Sequence, residues 1–242
     1  MSGLYKELRD CLKNEKLVAL CTVIAGPGLG RKVLIRPDGQ TWGDLGSATL
    51  NQQAGRFVEE VLHKQKPDRI TVDLDQEPVE VFVEVFPPPS KLIIIGAVHV
   101  AISLITFAKV LGFHTMVVDP RSAFATPERF SHADELILQW PQEAFSPVDF
   151  NESTYLVVLS HDEKLDNPAL RLALESRCRY IGALGSRKTQ ARRVVSLKKM
   201  GVPDQQLNRI HAPVGLDLGG REPEEIAVSI IAQMVAVRNG VD

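Results

Sequence analysis

The sequence is poor in cysteine, and this scarcity narrows the class of protein. Its three cysteines, Cys11, Cys21 and Cys178, form no CxxC pair, and their odd number argues against a disulfide framework. We therefore expect isolated buried thiols and a reducing, cytoplasmic setting. Because no set of His, Cys and Asp residues has the spacing of metal ligands, we predict no protein-bound metal.

An excess of charge of one sign is also missing. Lys and Arg number 28, Asp and Glu number 30, and the formal net charge is -2. Because a partner such as nucleic acid or an anionic membrane favours a strongly basic chain or patch, we predict neither partner. No signal peptide is visible at the N-terminus.

One long uncharged run resembles a membrane span. Residues 92–108 carry no formal charge over 17 positions, which is near the lower limit for crossing a bilayer. Gly96 and His99 interrupt the run, and β-branched residues fill its first half. The pattern favours a strand, a turn and a helix in a soluble chain.

The first third of the chain is predicted to be a small α+β domain. Pro37-Asp-Gly39 is a strong turn signal between two strands, and Ser47 can cap a helix that runs to about His63. Two later segments alternate apolar and polar residues, as an antiparallel pair does. The predicted elements are a helix over about 3–14, strands over 17–24 and 32–36, and the paired strands 70–75 and 79–86.

Three consecutive prolines, residues 87–89, form a stiff linker and mark the predicted boundary between domains 1–88 and 89–242. After the linker, short apolar strands alternate with helices, which is typical of a parallel sheet covered on both faces. The predicted strands are 92–95, 115–118, 135–138, 155–159 and 180–184, and a last helix runs from Pro223 to about Arg238. The fold class is therefore α/β: a C-terminal Rossmann-like parallel sheet with helices on both faces, preceded by a smaller α+β domain.

The turn that begins at Gly96 has the position of a phosphate-binding loop between a strand and a helix. Asp119 ends the next strand, where it would meet a ribose hydroxyl. Compared with the GxGxxG pattern, Val98 replaces the second glycine and Ala101 the third. Because the Val98 side chain blocks the close approach of a pyrophosphate, a lost ligand site and a retained dinucleotide site both stay open.

Polar residues follow a later predicted strand at Ser160-His161-Asp162. Three adjacent side chains cannot converge as a Ser-His-Asp triad does, so serine-hydrolase chemistry is not expected. The segment is either a polar lip on the ligand crevice or a helix N-cap formed by Ser160 or Asp162.

Two further loops could meet a ligand. Gly185, Ser186 and Arg187 open a helix rich in arginine, including Arg192 and Arg193, whose cations would meet phosphate; the alternative is a capped, solvated basic helix. A Gly- and Pro-rich loop over 211–221 carries His211, Asp217 and Arg221. These side chains could point into the crevice, but a single His in a loop more often has a structural role.

Together these segments resemble the xanthine dehydrogenase accessory factor (XdhC/CoxI) family over about residues 84–238. The motifs that carry the resemblance lie at 96–101, 118–125, 160–162, 180–187 and 210–227. The resemblance implies a Rossmann domain and no catalytic residue. It also implies a set of cofactor-binding residues: Gly96, His99, Asp119, Arg121, Ser160, His161, Asp162, Gly185, Ser186, Arg187, His211, Gly215 and Asp217.

The function that the resemblance implies is a non-enzymatic one. A family member is expected to bind molybdenum cofactor (molybdopterin) and to assist its sulfuration and its insertion into a molybdenum hydroxylase such as xanthine dehydrogenase. A cysteine desulfurase is a further expected partner, and a homodimer is expected by analogy of fold. The alternatives are an NAD(P)-binding oxidoreductase or dinucleotide sensor, and a scaffold that only binds a partner protein.

The N-terminal domain departs from the family pattern at one position. Thr49 stands where the family has a cysteine that is a candidate ligand for the cofactor, and the preceding loop is shortened to Gly26-Pro-Gly28. A threonine cannot supply a soft thiolate to molybdenum. We therefore expect a divergent member that has lost the thiol step.

Overall fold

The structure, a computed structural model, describes residues 3–74, 77–146 and 150–241. The chain divides into two compact units, Met1–Pro88 and Pro89–Asp242. Asp75, the last residue of one predicted strand, lies outside the described residues.

The strands of the first unit are β1 (Val18–Ala25), β2 (Lys32–Ile35), β3 (Thr41–Asp44), β4 (Asp68–Leu74) and β5 (Glu77–Phe86). They form an antiparallel sheet in the order β3-β2-β1-β5-β4. The predicted hairpin at the Pro37–Gly39 turn is confirmed, since Ile35 lies opposite Thr41. The predicted cap is also confirmed, because the Ser47 hydroxyl accepts from the backbone N–H of Leu50. The helices of this unit are α1 (Gly3–Lys13) and α2 (Ala48–Lys64).

Alternation along β1 gives this sheet two apolar faces. Ala19, Cys21 and Val23 pack in one core with the buried side chains of α2, whereas Val18 and Leu20 pack in another with those of α1. Successive strand residues point to opposite faces, so a wholly apolar strand is buried only when both faces are covered.

The second unit contains a parallel sheet of six strands. Numbered by their appearance in this unit, the strands lie in the order 3-2-1-4-5-6, which is the order of dinucleotide-binding sheets. The predicted fold class is confirmed. The elements are β6 (Lys91–Ile95), α3 (His99–Val110), β7 (His114–Val118), β8 (Glu135–Ile137), α4 (Pro141–Ala144), β9 (Thr154–Val158), α5 (Glu163–Leu174), β10 (Tyr180–Ala183), α6 (Arg187–Lys199), α7 (Asp204–Leu207), β11 (Ile210–His211) and α8 (Pro223–Asn239).

Helices cover both faces of the parallel sheet. Leu92 and Ile94 of β6 pack with α3 and α8, whereas Ile93 and Ile95 pack with α5 and α6. The uncharged run 92–108 is thus a strand, a turn and a helix, as predicted. No helix within the described ranges is long and apolar enough to cross a membrane.

One part of the strand prediction was incomplete. His211 was placed in a loop, but it lies in β11, which pairs in parallel with β10 through Gly182. A strand of two residues has too few positions to produce an apolar pattern, so only the neighbouring strand reveals it.

Candidate cofactor-binding site

The loops that follow the parallel strands meet at one edge of the sheet. The order of the strands reverses between β6 and β9, and ligands of open α/β sheets bind at such a switch point. Gly96 follows β6 with a φ of +106°, and Ser160 follows β9. A Cβ at Gly96 would lie 2.8 Å from the Cα of Ser160, so this glycine is required by the contact between the two loops.

The Asp119 carboxylate is fully buried and is used within the protein. One oxygen accepts from the Ala97 backbone N–H at 2.9 Å, and the Arg121 guanidinium donates to both oxygens at 2.8 and 2.7 Å. Burial alone would raise the pKa of Asp119, but the hydrogen bonds from Arg121 and Ala97 leave it below its ordinary value. In this conformation Asp119 supports the turn, and its expected contact with a ribose hydroxyl stays a prediction.

The Ser160-His161-Asp162 segment forms no triad. The Ser160 hydroxyl donates to Asp166 at 2.6 Å, and Asp162 caps α5 by accepting from the Lys164 backbone N–H at 2.9 Å. The N-cap alternative thus applies to Asp162. His161 is exposed and has a φ of +61°, a left-handed conformation that non-glycine residues adopt rarely and often at functional sites.

The start of α6 presents an exposed cation. The Ser186 hydroxyl accepts from the Thr189 backbone N–H at 3.2 Å, which caps the helix. Arg187 is exposed and has no carboxylate at ion-pair distance among the residues that the structure describes. Arg193, which the sequence suggested as a phosphate contact, is 3% exposed and points inward, so that expectation is corrected.

A cavity of about 410 Å³ lies between the loops that follow β10 and β11. Three predicted site residues, Arg187, Gly215 and Asp217, come together in its wall. Arg221 does not line it. The lining residues are Leu184, Arg187, Pro213, Val214, Gly215, Leu216, Asp217, Leu218, Gly219, Gly220, Glu225, Ile226 and Ser229.

His211 is half-buried and does not line this cavity. Its ring stacks on the ring of Tyr180 with 4.8 Å between centroids. The Tyr180 hydroxyl donates to the Gln233 side-chain oxygen at 2.6 Å, and the same oxygen accepts from the Gly215 backbone N–H at 2.8 Å. This geometry favours the structural alternative for His211.

Apart from His211, the predicted site residues lie in two groups. One group surrounds the switch point: Gly96, His99, Asp119, Arg121, Ser160, His161 and Asp162. The other lies at or beside the cavity: Gly185, Ser186, Arg187, Gly215 and Asp217. The sequence did not identify three residues that hold these loops in place: Asp166, Arg193 and Gln233. Helix patterning does not show which polar side chains turn inward. Within the described ranges, no group of three or more His, Cys, Asp or Glu side chains could hold a metal ion.

Comparisons with known proteins agree with this architecture. A Bacillus subtilis (strain 168) protein whose name describes it as a probable subunit of xanthine dehydrogenase is 30% identical over 237 residues, which are 98% of this chain and 66% of that protein. The "Molybdenum cofactor insertion chaperone PaoD" of Escherichia coli (strain K12) is 32% identical over 99 residues, which are 41% of this chain and 30% of that protein. The chain therefore spans just under two thirds of the first relative and less than a third of the second.

A solved structure shares the fold. The crystal structure of a Bacillus halodurans protein described as a xanthine dehydrogenase matches 100% of this chain and 97% of that chain, with a TM-score of 0.56 and 22% identity. The family described as the XdhC Rossmann domain matches residues 92–234, which is more than half of the sequence. The resemblance found in the sequence is confirmed, and the chain belongs to the XdhC family.

Proposed function

We propose that the protein is an accessory factor that binds molybdenum cofactor at the carboxyl edge of its parallel sheet and helps to load it into a molybdenum hydroxylase such as xanthine dehydrogenase. The observation that carries the proposal is the cavity lined by the exposed Arg187 and a glycine-rich loop within an XdhC Rossmann domain. The name of the relative PaoD, a molybdenum cofactor insertion chaperone, supports the choice of ligand.

The residues around the cavity suit the organic part of this cofactor. A volume of about 410 Å³ lies in the range of small-molecule sites. Arg187 can pair with the phosphate of molybdopterin, and the Asp217 carboxylate can accept from the amino and ring N–H groups of a pterin. Gly219 leaves the backbone open to close approach, since nothing lies within 4 Å of a Cβ at this position. When bound, the cofactor supplies molybdenum redox chemistry to the client enzyme, while this chain binds and orients its organic part.

The cysteines of this chain do not suit ligation of the metal by a thiolate. Cys11, Cys21 and Cys178 are buried, with at most 4% of each exposed. Thr49 is exposed in the first turn of α2, but a hydroxyl is a poor ligand for a soft site. We therefore propose that this chain carries the cofactor, and that sulfur for its sulfuration passes from a partner such as a cysteine desulfurase without a cysteine of this chain as intermediate. A homodimer and a cytoplasmic location remain predictions.

A dinucleotide is the less favoured ligand. In dinucleotide-binding sheets the turn after the first strand offers its backbone N–H groups to a pyrophosphate. Here the Ala97 N–H donates to Asp119, and Val98 adds a side chain where glycine permits close approach. The NAD(P) alternative is therefore retained only as an outcome of the binding test.

The test is retention of pterin by the purified protein. The protein is incubated without oxygen with molybdopterin, passed through gel filtration, and assayed for the fluorescence of the oxidised pterin. We expect co-elution with wild type and at least a tenfold weaker affinity for Arg187→Ala, because a hydrogen bond to a charged group contributes about 1.5–3 kcal/mol and about 1.4 kcal/mol is tenfold.

Arg192→Ala is the matched control, since Arg192 is exposed on the same helix but does not line the cavity. Its affinity should equal that of wild type. Binding of NAD or NADP without molybdopterin would establish the dinucleotide alternative. Retention of no ligand would favour a scaffold that only binds a partner protein.

A further inference from the structure

Two opposite charges are buried beneath the candidate site. Asp166 of α5 and Arg193 of α6 are 2% and 3% exposed, and their nearest charged atoms lie 3.6 Å apart. Neither residue lines the cavity or belongs to a motif of the family resemblance described above. A buried pair of this kind requires an explanation, because each charge has lost its hydration.

Each member of the pair also holds a loop at the edge of the sheet. Asp166 accepts from the Ser160 hydroxyl at 2.6 Å, in the loop that follows β9. The Arg193 guanidinium donates to the Leu184 carbonyl at 3.0 Å, in the loop that follows β10, and to the Gln190 side chain at 2.9 Å. The strands that precede these loops pair as far as Ala183 opposite Val158, and the Leu184 N–H donates to the Val158 carbonyl at 2.9 Å. Beyond that point, the Asp166–Arg193 pair adds a side-chain connection between the two loops.

The two loops that this pair connects contact the two groups of predicted site residues, one at the switch point and one at the cavity. Ser160 abuts the Gly96 turn so closely that a Cβ on Gly96 would collide with it. Leu184 lines the cavity and precedes Arg187 by three residues. A displacement of the Arg193 guanidinium would therefore be transmitted directly to the loop that carries Arg187.

Stability alone does not account for the pair. Burial raises the pKa of Asp166 and lowers the pKa of Arg193 despite their mutual attraction. Replacement of such a pair by apolar side chains of similar size is often neutral or stabilising, whereas removal of one partner is strongly destabilising. The feature that apolar side chains could not reproduce is the directional contact with Ser160 and with the Leu184 carbonyl.

We propose that Asp166 and Arg193 are positioning residues that fix the loops after β9 and β10 relative to each other and so place Arg187 for a phosphate-bearing ligand. The identity of that ligand rests on the proposed function. The placement of the loops does not, and it can be measured without any ligand.

The test compares single and double variants by thermal unfolding, by amide hydrogen exchange and by pterin retention. Asp166→Leu and Arg193→Met should each lower Tm, because each leaves one buried charge unpaired. The double variant should recover much of the lost Tm. Its amides at 160–162 and 184–188 should nevertheless exchange at least tenfold faster than in wild type, and its pterin affinity should fall at least fivefold. A double variant with wild-type exchange in both loops would overturn the proposal.

Arg193→Lys keeps the proposal testable if the double variant does not fold. A lysine retains the charge beside Asp166 but lacks the planar fork that also reaches Leu184 and Gln190. We expect faster exchange at 184–188 with no change in the strand 91–95, whereas Arg192→Lys on the exposed face of α6 should change neither segment. Unchanged exchange at 184–188 in Arg193→Lys would contradict a positioning role.

The two proposals fail in different ways. If wild type retains no pterin, the proposed function fails, and the exchange data still decide whether the pair positions the loops. If wild type retains pterin and the double variant retains it equally well with unchanged exchange, only the positioning proposal fails.

Discussion

The Asp119 carboxylate accepts a hydrogen bond from the Ala97 backbone N–H at 2.9 Å. A buried acid at the end of the second strand of the parallel sheet thus holds the turn that follows the first strand. In dinucleotide-binding sheets that acid and that turn contact the ligand. In this protein they contact each other. We therefore place the candidate site at the loops after β10 and β11.

Removal of the Asp119 carboxylate should destabilise the fold. In Asp119→Ala the Ala97 N–H loses its acceptor and Arg121, one third exposed, loses its partner. We expect the free energy of unfolding to fall by about 2–4 kcal/mol in urea titrations, within the range for unpaired buried groups. Ser122→Ala, an exposed position in the same loop, should change it by about 0.5 kcal/mol or less. Equal stability of both variants would show that the turn does not depend on Asp119.

The same carboxylate should contribute to acid sensitivity. Its pKa in the folded protein lies below the ordinary value of 3.8, so its stabilisation is present above that value and is lost as the pH falls through the folded pKa. Wild type should therefore lose more stability than Asp119→Ala between pH 4 and pH 2, measured as the urea midpoint at each pH. Parallel loss in the two proteins would contradict this assignment.

Gly96→Ala should be more damaging than the replacement of another positive-φ glycine that lies in open space. Gly96 and Gly112 both have positive φ, but nothing lies within 4 Å of a Cβ at Gly112. Gly112→Ala should cost about 1–2 kcal/mol for the left-handed conformation alone. Gly96→Ala should cost about 1–3 kcal/mol more, because its methyl group meets Ser160. Thermal unfolding of the two variants side by side measures the difference, and equal losses would refute the close approach.

The Gln233 side chain should matter more than the Tyr180 hydroxyl that it contacts. Tyr180→Phe removes one hydrogen bond and leaves Gln233 bonded to the Gly215 N–H, at an expected loss of about 1 kcal/mol. Gln233→Leu leaves both donors without their acceptor, at an expected loss of about 2–4 kcal/mol. Chemical denaturation of the two variants checks this order, and a reversed order would exclude Gln233 as the shared acceptor.

Thiol reagents should find little to react with in the native protein. Burial raises the pKa of Cys21 and of Cys178 to about 12, so neither forms a thiolate near neutral pH. Cys11 is also buried, and burial raises its pKa. A chromogenic disulfide reagent should therefore react slowly before denaturant is added and with three thiols afterwards.

Thr49→Cys provides the matched comparison for this measurement. Its thiol would lie exposed in the first turn of α2, where it should react within the first minutes. Rapid reaction of a wild-type thiol would contradict the burial of all three cysteines and would reopen a thiol step in the proposed function.

Much of the fold could be predicted because its patterns are local. The apolar strands, the Ser47 cap and the Pro37–Gly39 turn each carry their signal within a few residues, and all three were found in the predicted places. The cavity was predictable only in part. Arg187 and Asp217 belong to recognisable motifs, but their common wall depends on the pairing of β10 with the two-residue strand β11, which has no pattern of its own.

The sequence by itself determined the parallel sheet, the helices on its two faces and the family. Hydrophobic periodicity and motif spacing can be recognised without knowledge of long-range contacts. Only the tertiary structure decided which polar residues turn inward and which line the cavity. Asp119 and Arg193 are of residue types that often bind ligands, yet both turn inward to partners that the fold brings near. Arg187, with no such partner among the described residues, is left to face the cavity.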